Sequence, residues 1–195
     1  KIWRPAWQDR QKTTVEIDKT PGSKIVRVIV KADLLKGDAE WKTVYSIFPD
    51  GRIKVENEMN ALNGKHPMLM KFGMKMNLPK ELDKVEWYGR GPHESYEDRK
   101  TSATVGIYNG EVKEQYHPYI RPQETGNKTD VRWMKLSGSD GRGILISSDM
   151  PLSISALHYL PEDLDDGDAK KQSHAGELEA RDLTCLQVDY KQMGL

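Results

Sequence analysis

Apolar and polar residues alternate with a period of two along most of this chain, the mark of strands that bury one face. Trp41, Thr43, Tyr45 and Ile47 share one side of a segment, Pro49-Asp50-Gly51 turns the chain, and Ile53, Val55, Asn57 and Met59 then alternate with Arg52, Lys54, Glu56 and Glu58. That pattern predicts a β-hairpin. Further on, Met70, Phe72, Met74, Met76 and Leu78 alternate with Lys71, Gly73, Lys75 and Asn77. The period excludes an amphipathic helix and makes these methionines core filler. Shorter strands are predicted at residues 85–88, 131–136, 143–147, 153–156 and 186–190, separated by turns rich in Gly, Pro, Asp and Asn. Residues 161–173 read as a short polar helix or a mobile loop. With no sustained helical period, internal repeat, low-complexity tract or interior linker, the expectation is an all-β fold. Its two large antiparallel sheets pack face to face in one domain over residues 1–195.

Composition narrows the function classes. Thirty Lys and Arg balance thirty Asp and Glu, so no long-range field favours a polyanion, and no basic stripe interleaves with aromatics. This argues against nucleic acid. The longest apolar stretches, such as residues 25–30, are far too short to cross a bilayer as a helix, and no basic segment followed by an apolar one marks a signal peptide. A membrane partner is not expected, and the compartment, cytoplasmic or periplasmic, stays open. Cys185 is the single cysteine; it cannot form an intrachain disulfide, and its strand context makes it a small buried hydrophobe. The opening Lys1-Ile2-Trp3-Arg4-Pro5 and the closing Gln192-Met193-Gly194-Leu195 are both expected to be cuts in a longer polypeptide.

Two segments are denser in aromatic, charged and Gly/Pro residues than a structural strand needs. One is Trp87-Tyr88-Gly89-Arg90-Gly91-Pro92-His93-Glu94-Ser95-Tyr96-Glu97-Asp98-Arg99-Lys100. The other is Tyr119-Ile120-Arg121-Pro122-Gln123-Glu124-Thr125-Gly126-Asn127-Lys128-Thr129-Asp130-Val131-Arg132-Trp133. Sugars are held by aromatic faces against their C–H surfaces and by planar hydrogen-bonding groups against their hydroxyls. Tyr88, Arg90, His93, Glu94, Tyr96, Arg121, Glu124, Asn127, Asp130 and Arg132 supply that chemistry, as a carbohydrate-binding or interdomain patch. Equally open is an ion-paired network in which Arg90, Arg99, Arg121 and Arg132 neutralise Glu94, Asp98, Glu124 and Asp130 without touching a ligand. Gly89, Gly91, Pro92, Pro122 and Gly126 are expected to fix backbone turns. If the segments meet, Arg121 or Arg90 should pair with a carboxylate of the other segment.

In order, spacing and residues, the pair of segments closely resembles the C-terminal, small-chain domain of family-two glycoside hydrolase β-galactosidases. The resemblance extends over essentially the whole chain, including His174 ahead of the run ending Gln192-Met193-Gly194. It implies a β-supersandwich similar in fold to galactose mutarotase, with the catalytic barrel domain of the same polypeptide and its galactoside substrate as partners and a homo-oligomer as a further one. It also implies that the acid/base and nucleophile glutamates and the divalent metal sit on that barrel, with no cofactor in this domain. Relative to the family pattern the domain is expected to be truncated at both ends. The Trp-Arg-Ala-Pro-Thr-Asp-Asn-Asp-like start is missing, as is the Gly-Gly-Asp-Asp-Ser-Trp continuation whose tryptophan reaches the active site. Neither Trp87 nor Trp133 substitutes for it.

Three functional readings remain beside the supporting role. Glu94 and Glu124 could be the two carboxylates of a glycosidase, which requires them about 5 Å apart for retention or about 6.5–9.5 Å apart for inversion. A mutarotase-like isomerase would pair His93, His117, His158 or His174 with Glu124. A carbohydrate-binding module would use Tyr88, Arg90, Arg121, Glu124 and Asn127.

Overall fold

The computed structural model describes residues 2–63, 65–165 and 174–193. The chain divides into two compact units, residues 1–69 and 70–195. Each is built on one sheet in which all strand pairing is antiparallel. The all-β class expected from the alternation is therefore observed.

The first unit holds a four-stranded meander: β1 (Gln11–Asp18), β2 (Val26–Leu34), β3 (Ala39–Ile47) and β4 (Ile53–Ala61), paired in that order. The predicted hairpin is β3–β4, with Trp41 opposite Met59, Thr43 opposite Asn57, Tyr45 opposite Val55 and Ile47 opposite Ile53. Residues directly opposite one another share a face. The predicted hydrophobic side is thus continuous across the hairpin and runs on through Val28 and Val30 to Ile17 and Val15. Thr43 Oγ1, buried, donates to Asn57 Oδ1 at 2.8 Å across the two strands.

The second unit contains β5 (Lys71–Leu78), β6 (Lys84–Gly91), β7 (Thr104–Glu111), β8 (Lys128–Ser137), β9 (Gly143–Leu157) and β10 (Thr184–Gln192), in the spatial order β5-β10-β9-β8-β6-β7. Two segments expected as separate strands, residues 143–147 and 153–156, are halves of the single strand β9. Asp149-Met150-Pro151 reads as a breaker, but it lies where Ser147 faces Trp133 and Leu152 already faces Val131. The extra residues bulge out of the ladder there, and a bulge tolerates proline. The predicted strands do not include β1, β2 or β7. The expected polar helix is one turn, α1 (Pro161–Leu164); residues 166–173 of that prediction, and Gly194 and Leu195, lie outside the described residues. No helix among the described residues is long and apolar enough to cross a membrane.

One face of the six-stranded sheet carries the core of this unit. Val85 and Trp87 of β6, Val131, Met134 and Leu136 of β8, Leu152, Ile154 and Ala156 of β9 and Leu186 of β10 are all buried, with Met76 and Leu78 of β5 packed against them. Cys185, one step from Leu186, is also buried, and burial pushes its thiol up to about 11. It packs as a core residue, and a raised thiol holds little thiolate near neutral pH.

Candidate functional site

Both motif segments belong to the second unit, and they interlock. The first runs from β6 into the connection toward β7; the second leads into β8, the neighbour of β6. Gly89 and Gly91, expected in turns, lie inside β6. A Cβ on Gly89 would sit 2.9 Å from Val131 Cα, and one on Gly91 would sit 2.7 Å from the Tyr108 ring, so glycine is required there by close approach. The register of β8 shifts between Lys128 and Val131, and Asp130 in that irregularity takes a left-handed φ of 54°. An Asp tolerates this conformation better than most residues.

The bulged Asp130 meets Arg90. Arg90 Nε donates to Asp130 Oδ2 at 2.5 Å, and its Nη1 donates to the carbonyls of Lys100 at 3.1 Å and Ala103 at 2.7 Å. Lys100 Nζ stands 3.6 Å from Asp130 Oδ1. Burial opposes the Asp130 charge, but the Arg90 bond and the nearby Lys100 and Arg132 outweigh it and hold the carboxyl below its ordinary range. Arg132 Nη1 donates to the Asp130 carbonyl at 2.5 Å while its guanidinium lies over the Tyr88 ring, 5.2 Å from the centroid. The expected cross-segment pair is thus made by Arg90. Arg121 lies on the exposed surface.

Glu94 is the second fastening. Its Oε2 accepts from Thr125 Oγ1 at 2.9 Å and from the Gly126 amide at 2.7 Å; its Oε1 accepts from Arg99 Nη2 at 3.0 Å and from the Tyr119 hydroxyl. Burial would raise this carboxyl, yet the bonds from Tyr119, Gly126 and Thr125 and the Arg99 charge bring it below the usual value. Gly126 makes the geometry accessible. Its φ is 77°, and a Cβ there would lie 2.6 Å from the Gln115 carbonyl oxygen.

Between these fastenings the backbones are stitched together. Ser95 N donates to the Asn127 carbonyl and Asn127 Nδ2 returns to the Ser95 carbonyl, both at 2.8 Å, and Ser95 Oγ meets Thr129 Oγ1 at 2.9 Å. Ser95, Asn127, Thr129 and Tyr96 are no more than 1% exposed. Asn127 and Tyr96 therefore act inside the joint, not on its surface. His93, exposed, reaches Ser102 Oγ at 3.2 Å. Glu124 turns to a different group: its Oε1 accepts from Lys71 Nζ at 3.1 Å and from Gln192 Nε2.

Several residues of this arrangement escaped the sequence reading as site residues: Lys71, Gln187, Asp189 and Gln192 on β5 and β10, and Lys128. Lys128, 3% exposed, has its Nζ 5.2 Å from the Trp87 ring centroid, and burial lowers its amine to about 8. The available signal was charge at a buried strand position: Asp189 alternates with Val188 and Tyr190 but falls on the same parity as Cys185 and Gln187. His158 is engaged elsewhere, its Nδ1 meeting the Leu183 carbonyl at 2.9 Å. Among the described residues no three His, Cys, Asp or Glu side chains converge as a metal site needs.

The family described as β-galactosidase small chain matches residues 1–195. Over 193 residues the chain is 38% identical to a β-galactosidase of Priestia megaterium, covering 99% of this chain and 18% of that protein. It is 32% identical over 198 residues to one of Halalkalibacterium halodurans, covering 100% and 19%. A β-galactosidase of Lactobacillus delbrueckii subsp. bulgaricus is 37% identical over 161 residues, 83% of this chain and 15% of that protein. The chain spans less than a fifth of the length of these curated relatives. With its whole length matched, it belongs to the β-galactosidase small-chain family.

Proposed function

We propose that this chain is a non-catalytic domain of a β-galactosidase that hydrolyses terminal β-D-galactosides, and that its interlocked segments form a rigid platform for an active site built elsewhere in the polypeptide. The observation that carries the reading is the state of Glu94. A glycosidase acid must hold its proton near neutral pH, which requires a raised carboxyl, and a nucleophile must present a free oxygen to the anomeric carbon. Glu94 is shifted the opposite way, its side chain is 14% exposed, and four donors occupy its two oxygens. Such a carboxylate organises a loop. Catalytic carboxylates then belong to the four-fifths of the relatives' length outside this match, and the galactoside and a catalytic barrel of the same polypeptide are the partners of the whole.

A supplementary sugar contact is best supported at Tyr88, 37% exposed on β6 beside the stacked Arg132. The test is a galactosidase assay with a nitrophenyl galactoside. The chain alone should give no turnover, and Glu94→Gln in the full polypeptide should lower melting temperature while leaving the acid limb of the kcat profile in place. A loss of about 10²–10⁴-fold in kcat at unchanged melting temperature would make Glu94 a proton donor or acceptor and overturn the reading.

A further inference from the structure

We propose that Lys71, Glu124 and Asp189 form a proton-operated clamp, fastening the segment around Glu124 to the adjoining ends of β5 and β10 and tightening when the cluster takes up one proton. The inference rests on this cluster alone and not on the role proposed above. Leu186 and Val188 of β10 face the core, so Gln187 and Asp189 face the other way. Opposite Asp189 on β5 is Gly73. A Cβ there would lie 2.2 Å from Asp189 Oδ1 and 2.3 Å from the Val188 carbonyl oxygen. Only glycine leaves the carboxylate room to lie against β5.

One ammonium then serves two carboxylates. Lys71 Nζ is 3.1 Å from Asp189 Oδ2, 3.1 Å from Glu124 Oε1 and 2.9 Å from Gln187 Oε1. The Asp189 side chain is 4% exposed, against 29% for Lys71 and 28% for Glu124. Among the described residues, the following groups also face the cluster and bring no second cation to it. From β9 come Ser153, opposite Asp189, and Ser155, which accepts from Gln187 Nε2 at 3.2 Å. Gln192, opposite Lys71, donates to Glu124 and leaves its own buried Oε1 without a protein partner. From the first motif comes Tyr96, whose buried phenol is raised by burial, Glu94 and Glu124 and stays neutral. Lys75, one residue beyond Met74 on β5, is held by Glu162 at 2.9 Å.

A buried cluster with one surplus negative charge is relieved by a proton. Burial, with Glu124 acting against Lys71, raises Asp189 from 3.8 to about 6. A raised folded value means this group's contribution to stability is complete below 3.8 and lost as pH rises through about 6. A simple Lys71–Asp189 ion pair would behave in the reverse sense, weakening on acidification.

Segment-resolved hydrogen exchange on the full-length polypeptide, corrected for intrinsic rates, separates the two. Residues 119–127 and 184–192 should exchange at least about threefold faster near pH 7.5 than near pH 5. Asp189→Asn should abolish the difference and keep both segments at the slow rate across the range. Glu124→Gln should keep the transition but move its midpoint to lower pH, because one opposing charge is gone. The proposal is overturned by a wild type insensitive to pH, by an Asn variant that loosens at neutral pH, or by an unmoved midpoint in Glu124→Gln. That last measurement decides the matter alone where Asp189→Asn does not fold.

Discussion

The four-stranded and six-stranded sheets are written in the same alternating pattern, yet they bury their apolar residues very differently. In the first unit the buried apolar residues are Ala6, Ala32, Leu34 and Ala39, while Val15, Ile17 and Ile53 are each about 60% exposed. In the second, Trp87, Met134, Leu136, Ile154 and Leu186 are at most 1% exposed, and both faces of residues 152–157 are covered. Alternation reports which side chains share a face. It does not report whether anything covers that face, because cover comes from residues distant in sequence. In the second unit part of the cover opposite the core comes from the second motif segment, whose Glu124 reaches Lys71 on β5 and Gln192 on β10.

The comparison breaks first at Trp87. Its ring packs against Tyr108 with centroids 5.5 Å apart, its Nε1 donates to the Arg90 carbonyl at 2.9 Å, and 1% of it is exposed. Trp87→Ala should cost about 3–5 kcal/mol in urea denaturation, through lost burial and the cavity left behind. A cost under about 1 kcal/mol would show that the second unit is not the more tightly packed of the two.

A smaller effect is expected at the joint. Arg90→Ala removes three donors and leaves Asp130 and two carbonyls short of partners in a partly buried site, a loss of about 2 kcal/mol. The matched control, Arg121→Ala, should cost less than about 1 kcal/mol because Arg121 is exposed. Equal costs would mean that the Arg90–Asp130 pair does not join the segments.

These residues also mark how far the sequence could be read. The β3–β4 hairpin was legible to its register because Pro49-Asp50-Gly51 and two alternating runs specify it locally. That residues 87–100 and 119–133 act together was legible from their shared composition, and so was an Arg–carboxylate pair between them. Which arginine makes it was not, since it depends on a β8 bulge that turns Asp130 toward Arg90. The Lys71–Glu124–Asp189 cluster was illegible for the same kind of reason. Its members lie 53 to 118 positions apart; the β5–β10 pairing brings Lys71 and Asp189 together, and the loop before β8 carries Glu124 to them.

The smallest expected effect tests the open side of the comparison. Val15 pairs with Val30, Ile17 with Val28, Val28 with Tyr45, Tyr45 with Val55 and Ile47 with Ile53, so these apolar side chains share one face of the first sheet. Its ends are open: Val15 is 62%, Ile17 63% and Ile53 59% exposed. Val15→Thr keeps the β-branch and nearly the volume, and Ile53→Thr keeps the branch, so strand preference is held while hydrophobicity falls. At this exposure little apolar area returns to water, and each change should stay within about 0.5 kcal/mol in the same denaturation measurement. The double variant should then be additive, because Val15 on β1 and Ile53 on β4 lie on opposite edge strands of the sheet. A single cost above about 1 kcal/mol would instead mean that the open end of this face is covered in solution.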